Sequence, residues 1–155
     1  MRVLALLAIA LLFAPLPALA RDPMTKDGRF TICEFQNFDK CELLTESSLR
    51  RFQLSAEERR NFEALRRFTT APNASLADLE RTFGKASKVR PRRDRPNEMT
   101  IAWFHNSAGL NDLNAKCPEC GIYVYLTNNV VANINYIVDG KFTLAWNRAA
   151  PKSPQ

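Results

Sequence analysis

The sequence contains only one histidine, His105. Any Ser-His or Cys-His nucleophile system would have to use this residue, and the residues around it do not form a nucleophile elbow. The chain also lacks a phosphate-binding loop and any metal-ligand motif apart from its cysteines. These absences favour a protein that is not an enzyme and that needs no cofactor and no metal.

A lipid-attachment cysteine is also missing from the N-terminal region. Residues 3–20 are apolar, follow Met1-Arg2 and end in Ala18-Leu-Ala20, which is typical of a signal peptide cleaved before Arg21. The run is short for a membrane span, so no stable span is expected. Residues 1–20 are therefore predicted to be a signal peptide, and the protein is predicted to be periplasmic or secreted.

The rest of the chain has the size of one domain. We predict a single α+β domain over residues 21–148 and a flexible tail over 149–155. The formal net charge of the full chain is +6, which permits an acidic partner without requiring one.

The stretch from Cys117 to Trp146 is rich in β-branched and aromatic residues. Asn128-Asn129 and Asp139-Gly140 interrupt it, which predicts three strands joined by two tight hairpins. Three-residue loops, ending in left-handed Asn129 and Gly140, place most apolar side chains on one face. That predicted apolar face contains Ile122, Val124, Leu126, Val130, Ala132, Ile134, Tyr136, Phe142, Leu144 and Trp146. The other face carries Tyr123, Tyr125, Val131, Asn133, Asn135, Ile137, Lys141 and Thr143.

Two helices are predicted before these strands. Ser55-Ala-Glu-Glu58 is a capping box that begins a helix running to about Thr69. Ser75 caps a second helix, which Gly84 ends. Residues 99–104 form a further strand, residues 88–96 a basic loop, and residues 29–33 and 41–52 can hold a short strand and a short helix. The predicted fold class is α+β, with two short helices packed on one face of a three- to four-stranded antiparallel meander sheet.

The segment Ala74-Ser-Leu-Ala-Asp-Leu-Glu-Arg-Thr-Phe-Gly-Lys85, together with strands at 99–104, 122–126 and 130–138, resembles the SmpA/OmlA family. The resemblance covers residues 55–146. It implies a sheet covered by two helices and an association with the cell envelope. The chain departs from the family because it lacks a lipidation cysteine and has a Cys117–Cys120 pair.

The four cysteines follow an export signal, which predicts two disulfides. Local pairing joins Cys33 to Cys41 and Cys117 to Cys120, while the crossed pairings remain open. Cys117-Pro-Glu-Cys120 also permits a redox pair, but Glu119 would raise a neighbouring thiol pKa, so a structural disulfide is favoured. A zinc site made of the four thiolates is a further alternative, which an oxidising compartment disfavours.

The face opposite the apolar one is a candidate recognition surface. Tyr123, Tyr125, Asn133 and Asn135 lie on it, with Tyr123 and Asn133 as cross-strand neighbours. Tyrosine offers a large contact area and asparagine offers adaptable hydrogen bonds. Alternatively, tyrosine is simply a good strand former, and the segment around Phe35 and Phe38 covers this face.

The basic loop supplies the second set of candidate binding residues, Arg90, Arg92 and Arg93. It is either a solvated loop or a site for an acidic protein, a lipid headgroup or a cell-wall polymer. Nucleic acid is not an expected partner for an exported protein. The leading hypothesis is therefore a non-enzymatic periplasmic or secreted binding or envelope-associated protein, whose partner is another protein or an anionic envelope component. The alternatives are a secreted inhibitor or immunity protein, and a thiol-redox protein that uses Cys117 and Cys120.

Export predicts the N-terminus of the mature protein. N-terminal sequencing of protein recovered from the cells should give Arg21 as the first residue, because Ala18 and Ala20 are the small residues that signal peptidase accepts. Recovery of intact Met1 in the membrane fraction would contradict this prediction.

Overall fold

The computed structural model describes residues 29–105, 117–138 and 141–148. The predicted signal peptide, the tail after residue 148 and the pair Asp139-Gly140 lie outside these residues. No helix within the described part of the chain is long and apolar enough to cross a membrane.

Within the described residues, seven antiparallel strands form one sheet, in the order β2-β1-β7-β6-β5-β4-β3. The strands are β1 (Thr31–Glu34), β2 (Asn37–Leu43), β3 (Lys88–Pro91), β4 (Glu98–Phe104), β5 (Gly121–Thr127), β6 (Val130–Val138) and β7 (Phe142–Asn147). The helices are α1 (Glu46–Arg51), α2 (Ala56–Thr70) and α3 (Leu76–Phe83).

The predicted fold class is wrong, because the sheet has seven strands rather than three or four and is accompanied by three helices. Strand β2 reads Asn-Phe-Asp-Lys-Cys-Glu-Leu, a composition poor in strand-forming residues but common in edge strands. Strand β3 was predicted to be part of a loop because it ends in Pro91. Proline is compatible with an edge strand, whose outer side needs no backbone donor.

The hairpin of β1 and β2 also corrects the expectation that the segment around Phe35 covers the recognition surface. Strand β1 pairs with β7, with Ile32 opposite Leu144, and Phe35 donates its backbone N–H to the carbonyl of Lys141 at 3.3 Å. The segment therefore extends the sheet beyond β7 and does not lie over β5 and β6.

The helix ends follow the capping signals in the sequence. Ser55 and Glu58 exchange side-chain and backbone hydrogen bonds at the start of α2, and Ser75 and Asp78 do the same at the start of α3. Gly84, with a φ of 82°, ends α3. Each cap satisfies backbone groups that a helix end leaves unpaired, so both predicted helix starts are confirmed.

All three helices pack against one face of the sheet, which we call the core face. Leu49 of α1, Leu65 of α2 and Leu79 of α3 are buried in one cluster with apolar side chains of the sheet. The indole nitrogen of Trp103 donates to the carbonyl of Gly84 at 2.8 Å and so ties the end of α3 to β4. The largest sheet residues in this cluster are fully buried, namely Ile32, Ile101, Val124, Val131, Ile134, Tyr136, Phe142 and Leu144.

The turn between β5 and β6 differs from the predicted loop. Asn128 and Asn129 have φ values of 52° and 59°, and Thr127 pairs with Val130, so the turn contains two residues rather than three. Two left-handed residues are the requirement of a type I′ hairpin, and asparagine tolerates this conformation well.

A bulge between Tyr125 and Leu126 makes this turn compatible with an apolar core face. Val124 lies opposite Ile134, whereas Leu126 lies opposite Val131. The bulge shifts the alternation of side chains by one residue. As a result Val131 is buried in the core, and the predicted core positions Val130 and Ala132 are only half-buried.

The hairpin between β6 and β7 is shifted by two residues from the predicted pairing. Val138 lies opposite Phe142 and Tyr136 lies opposite Leu144. Because side chains alternate with a period of two, an even shift leaves every residue on its face. Ile134, Tyr136 and Leu144 therefore belong to the core face as predicted.

The bulge can be tested by two substitutions at adjacent positions. Val131→Ala should lower the free energy of unfolding by about 2 kcal/mol, because it removes two buried methyl groups and leaves a cavity. Val130→Ala is the matched control and should cost less than about 1 kcal/mol. Urea denaturation measures both values. A larger cost at Val130 would contradict the bulge and restore the three-residue loop.

Candidate binding site

The predicted tyrosine and asparagine residues do lie together on the face opposite the core face, which we call the outer face. Tyr123 is directly opposite Asn135, and Tyr125 is directly opposite Asn133. The predicted neighbours Tyr123 and Asn133 are therefore diagonal to each other, because the two-residue turn and the bulge each move the register by one residue from the predicted one. Cross-strand pairs share a face and are close enough to act together.

The sheet continues these pairs towards the basic strand β3. Tyr125 lies opposite Thr100 of β4, and Thr100 lies opposite Arg90. In the next row Tyr123 lies opposite Ala102, which lies opposite Lys88. The register thus brings two sets of predicted binding residues, which are separated by more than thirty positions in sequence, onto one surface.

An open groove runs along this surface. It has a volume of about 900 Å³, and Arg90, Arg93, Thr100 and Tyr125 are among the residues that line it. A smaller hollow of about 280 Å³ adjoins it and adds further side chains. We call the combined site the basic–aromatic groove and define it by Lys88, Arg90, Thr100, Tyr123 and Tyr125.

Arg92 is engaged within its own loop. Its guanidinium donates to Glu98 at 3.0 Å and to Asp94 at 3.1 Å, and Arg95 donates to Glu98 at 3.1 Å. The hydrogen bond to Glu98 and the charge of Asp94 raise the pKa of Arg92, and hydrogen bonds from Arg95 and Arg92 lower the pKa of Glu98. These pairs close the turn between β3 and β4 and neutralise the acidic groups beside the groove.

Ion pairing within the described part of the chain does not neutralise three other basic residues. They are Lys88, Arg90 and Arg93. All three are exposed, and none of them forms an ion pair with a residue in the described part of the chain. Their charges are therefore directed to solvent along the groove. Of the three predicted binding arginines, Arg90 and Arg93 remain available to a ligand.

The hydroxyl groups of Tyr123 and Tyr125 have different surroundings. The Tyr123 hydroxyl donates to the carbonyl of Glu119 at 2.5 Å, and its ring packs edge-on against Phe104 with centroids 6.0 Å apart. Burial raises the pKa of Tyr123 to about 12, so the hydroxyl stays neutral. Tyr125 is half-buried, and its hydroxyl forms no hydrogen bond with a described residue. Tyr123 is therefore held in place by the protein, whereas the hydroxyl of Tyr125 is available to a ligand.

Asn133 and Asn135 have unsatisfied polar atoms. The Oδ1 atom of each side chain is buried and accepts no hydrogen bond within the described part of the chain. A buried acceptor without a donor costs about 1–3 kcal/mol, and such groups in native proteins call for an explanation. Both oxygens are enclosed by the chain itself, and neither asparagine is among the residues that line the groove, so the predicted binding role of Asn133 and Asn135 gains no support from the groove.

Lys141 does not belong to this surface, although it was predicted to lie on the same face. Its ammonium group contacts Glu58 of α2 at 2.7 Å. Burial alone raises the pKa of Glu58, but the hydrogen bonds from Lys141 and Ser55 outweigh this effect and lower it. Lys141 and Glu58 share a separate hollow with His105, whose ring lies 5.7 Å from that of Tyr136. In this hollow the Ser55 hydroxyl caps α2.

Two disulfides join the cysteines as the local pairing predicts. The sulfur atoms of Cys33 and Cys41 are 2.00 Å apart, and those of Cys117 and Cys120 are 1.96 Å apart. The prediction of disulfide bonds is confirmed. Both sulfur pairs are oxidised and so are not the thiolate ligands that a zinc site would need. Cys117 and Cys120 are 5% and 1% exposed.

Glycine is required next to the second disulfide. Gly121 has a φ of 157°, and a Cβ atom there would overlap the backbone carbonyl oxygen of Trp103. The close approach of β5 to β4 at this point fixes the turn from Cys117 to Cys120, from which the Glu119 carbonyl reaches Tyr123. The disulfide turn therefore supports one wall of the groove.

Sequence reasoning missed Lys88 and Thr100 as groove residues. The signal was present, because Lys88 and Arg90 alternate with Val89 in the pattern of a strand with one basic face. The interpretation of residues 88–96 as a loop hid this alternation.

The described part of the chain is therefore a seven-stranded antiparallel sheet with three helices on its core face and a basic–aromatic groove on its outer face. Comparison with protein-family models, with curated proteins and with solved structures finds no match to this chain. The resemblance to the SmpA/OmlA family therefore stays a prediction.

Burial of the second disulfide gives a test of its role. Native protein should have a mass lower than the fully reduced protein by about four hydrogens, and Cys117–Cys120 should not be reduced by millimolar glutathione, because thiol exchange needs access to a sulfur atom. Mass spectrometry after alkylation measures both properties. Selective reduction of Cys117–Cys120 in the folded protein would instead support the thiol-redox alternative.

Proposed function

We propose that this chain is a non-enzymatic, exported binding protein whose basic–aromatic groove holds an anionic partner. The observation that carries the proposal is the alignment of Arg90 and Lys88, which form no ion pair with a described residue, with Tyr125 and Tyr123 in adjacent rows of one sheet face. Cations beside aromatic rings are typical of recognition surfaces.

The local balance of charge supports an anionic partner. Asp94 and Glu98 are the acidic residues that line the groove, and arginines of the same turn pair with both. The remaining charge is positive and exposed, which attracts and orients an anion. The same pairing supports binding rather than catalysis, since neither carboxylate is left to act as a base.

Export rests on the N-terminal sequence, and a periplasmic or secreted location is part of the proposal. An association with the cell envelope, as in the SmpA/OmlA family, is compatible with the groove. An inhibitor or immunity protein would use the same groove for an acidic protein partner. The thiol-redox alternative has less support, because both sulfur atoms of the Cys117–Cys120 pair are buried.

Charge reversal at the groove tests the proposal. Lys88→Glu combined with Arg90→Glu should weaken binding of labelled poly-L-glutamate, of polygalacturonate or of phosphatidylglycerol vesicles by about tenfold or more at low salt, because the cations that attract the probe are replaced by anions. Fluorescence anisotropy for the polymers and flotation for the vesicles measure the loss.

The matched control is Arg59→Glu combined with Arg60→Glu on the exposed side of α2, which changes the net charge by the same amount. It should bind as the unaltered protein does. Equal losses in both variants would show that net charge alone attracts the probes, and failure of the unaltered protein to bind any of them would overturn the anionic-partner proposal.

A further inference from the structure

The basic–aromatic groove follows the direction of β4. The middle residue of each row that crosses it belongs to β4 and has a small side chain, so β4 forms the floor of the groove. The cations of β3 and the tyrosines of β5 form its two walls, which are two interstrand spacings, about 9.5 Å, apart. The groove is therefore wide enough for a single extended chain that lies along β4. The two rows are Lys88–Ala102–Tyr123 and Arg90–Thr100–Tyr125.

The cations of the first wall have the spacing of a strand. Lys88 and Arg90 are two positions apart on β3 and lie on the same face, so their Cα atoms are about 6.7 Å apart. An extended peptide has the same two-residue repeat, because it has the same backbone geometry. Acidic side chains at every second position of such a peptide therefore meet both cations in register.

The second wall receives the residues between these acidic positions. Side chains of an extended peptide alternate between its two sides, so the intervening residues face Tyr123 and Tyr125. Tyrosine offers a large contact area to a side chain and a hydroxyl to the peptide backbone. Tyr123 is already held by the Glu119 carbonyl and the Phe104 ring, which lowers the entropic cost of binding. One polypeptide segment thus contacts both walls.

Such a segment is expected on the face of the sheet and not at its edge. A peptide that adds to a sheet needs an edge with free backbone donors, and β3 has only four residues and ends in Pro91, which has no N–H. The outer face has a floor at Ala102, which is 3% exposed, below a hollow of about 280 Å³. A narrow chain enters this space, whereas a flat membrane surface reaches only the ends of the basic side chains.

We propose that the basic–aromatic groove binds an extended segment of a partner protein in which every second residue is acidic. The segment lies along β4, its carboxylates contact Lys88 and Arg90, and the residues between them pack on Tyr123 and Tyr125. Arg93, which is exposed and lines the larger part of the groove, meets a further carboxylate beyond Arg90. This inference rests on the proposed function, because it specifies the anionic partner of the same groove.

Three probes of equal charge test the spacing of the carboxylates. They are acetyl-Glu-Thr-Glu-Thr-Glu-amide, acetyl-Glu-Glu-Thr-Thr-Glu-amide and trigalacturonate. The two peptides have the same composition and length, but only the first has acidic residues two positions apart. The intact protein should bind the first peptide at least about fivefold more tightly than either other probe in isothermal titration calorimetry at low salt, because only its carboxylates meet neighbouring cations at once.

The outcomes separate the two proposals. Equal affinity for the two peptides, or tighter binding of trigalacturonate, would overturn the extended segment and leave the anionic-partner proposal standing. Binding of poly-L-glutamate without binding of either peptide would have the same meaning. Binding of none of these anions would remove both proposals.

Ala102→Leu tests whether the segment lies on the floor of the groove, because it fills the floor and leaves every charge in place. It should weaken the first peptide about tenfold, since the added side chain occupies the space of the segment. Thr70→Leu, at the exposed end of α2, is the matched control and should keep the affinity. Thr100→Leu fills the other row and replaces Ala102→Leu if that variant has a lowered thermal midpoint. Unchanged peptide affinity in a folded variant with a filled floor would overturn the inference.

Discussion

The β-bulge between Tyr125 and Leu126 controls both faces of the sheet. It allows a two-residue turn at Asn128-Asn129 and still places Val124 and Val131 in the core, where the helices cover them. The same shift sets Tyr125 opposite Asn133 on the outer face. A regular hairpin with this turn would expose part of the apolar set, because a one-residue change in register reverses the faces. The faces on which β6 places its side chains therefore depend on one local irregularity.

Residues of the edge strand β3 both prevent its pairing with other chains and line the groove. An unpaired edge strand invites pairing with other chains, and charged residues and proline prevent it. Strand β3 has Lys88, Arg90 and Pro91, all exposed, and these features block edge pairing. The same two basic side chains line the groove on the outer face. Basic residues at this edge thus protect it from pairing and, in the function we propose, also contact the anionic partner, while Arg92 closes the turn.

The disulfides act locally, one in the N-terminal edge hairpin and one in the turn before β5. Cys33 and Cys41 are directly opposite each other on β1 and β2 and fasten the N-terminal edge hairpin. Cys117 and Cys120 close a turn whose Glu119 carbonyl accepts the Tyr123 hydroxyl. Their sequence separations of 8 and 3 residues enclose short loops, whose closure constrains the unfolded chain less than long loops do. Their main contribution is therefore the geometry of the edge and of the groove.

Local sequence by itself determined the helix caps at Ser55 and Ser75, the central strands from Gly121 onwards and the separation of Tyr123 and Tyr125 from the apolar side chains of their strand, because each depends on residues close together in the chain. Only the tertiary structure decided that β1 joins β7, because these strands lie far apart in the chain, and that the segment ending in Pro91 is an edge strand, because β4 pairs with it on one side only. Tertiary structure also decided that Arg92 is neutralised by Asp94 and Glu98, whereas Arg90 forms no ion pair with a described residue and lines the groove with Tyr125. Ion pairing depends on distances that are fixed only when β3, β4 and β5 lie side by side.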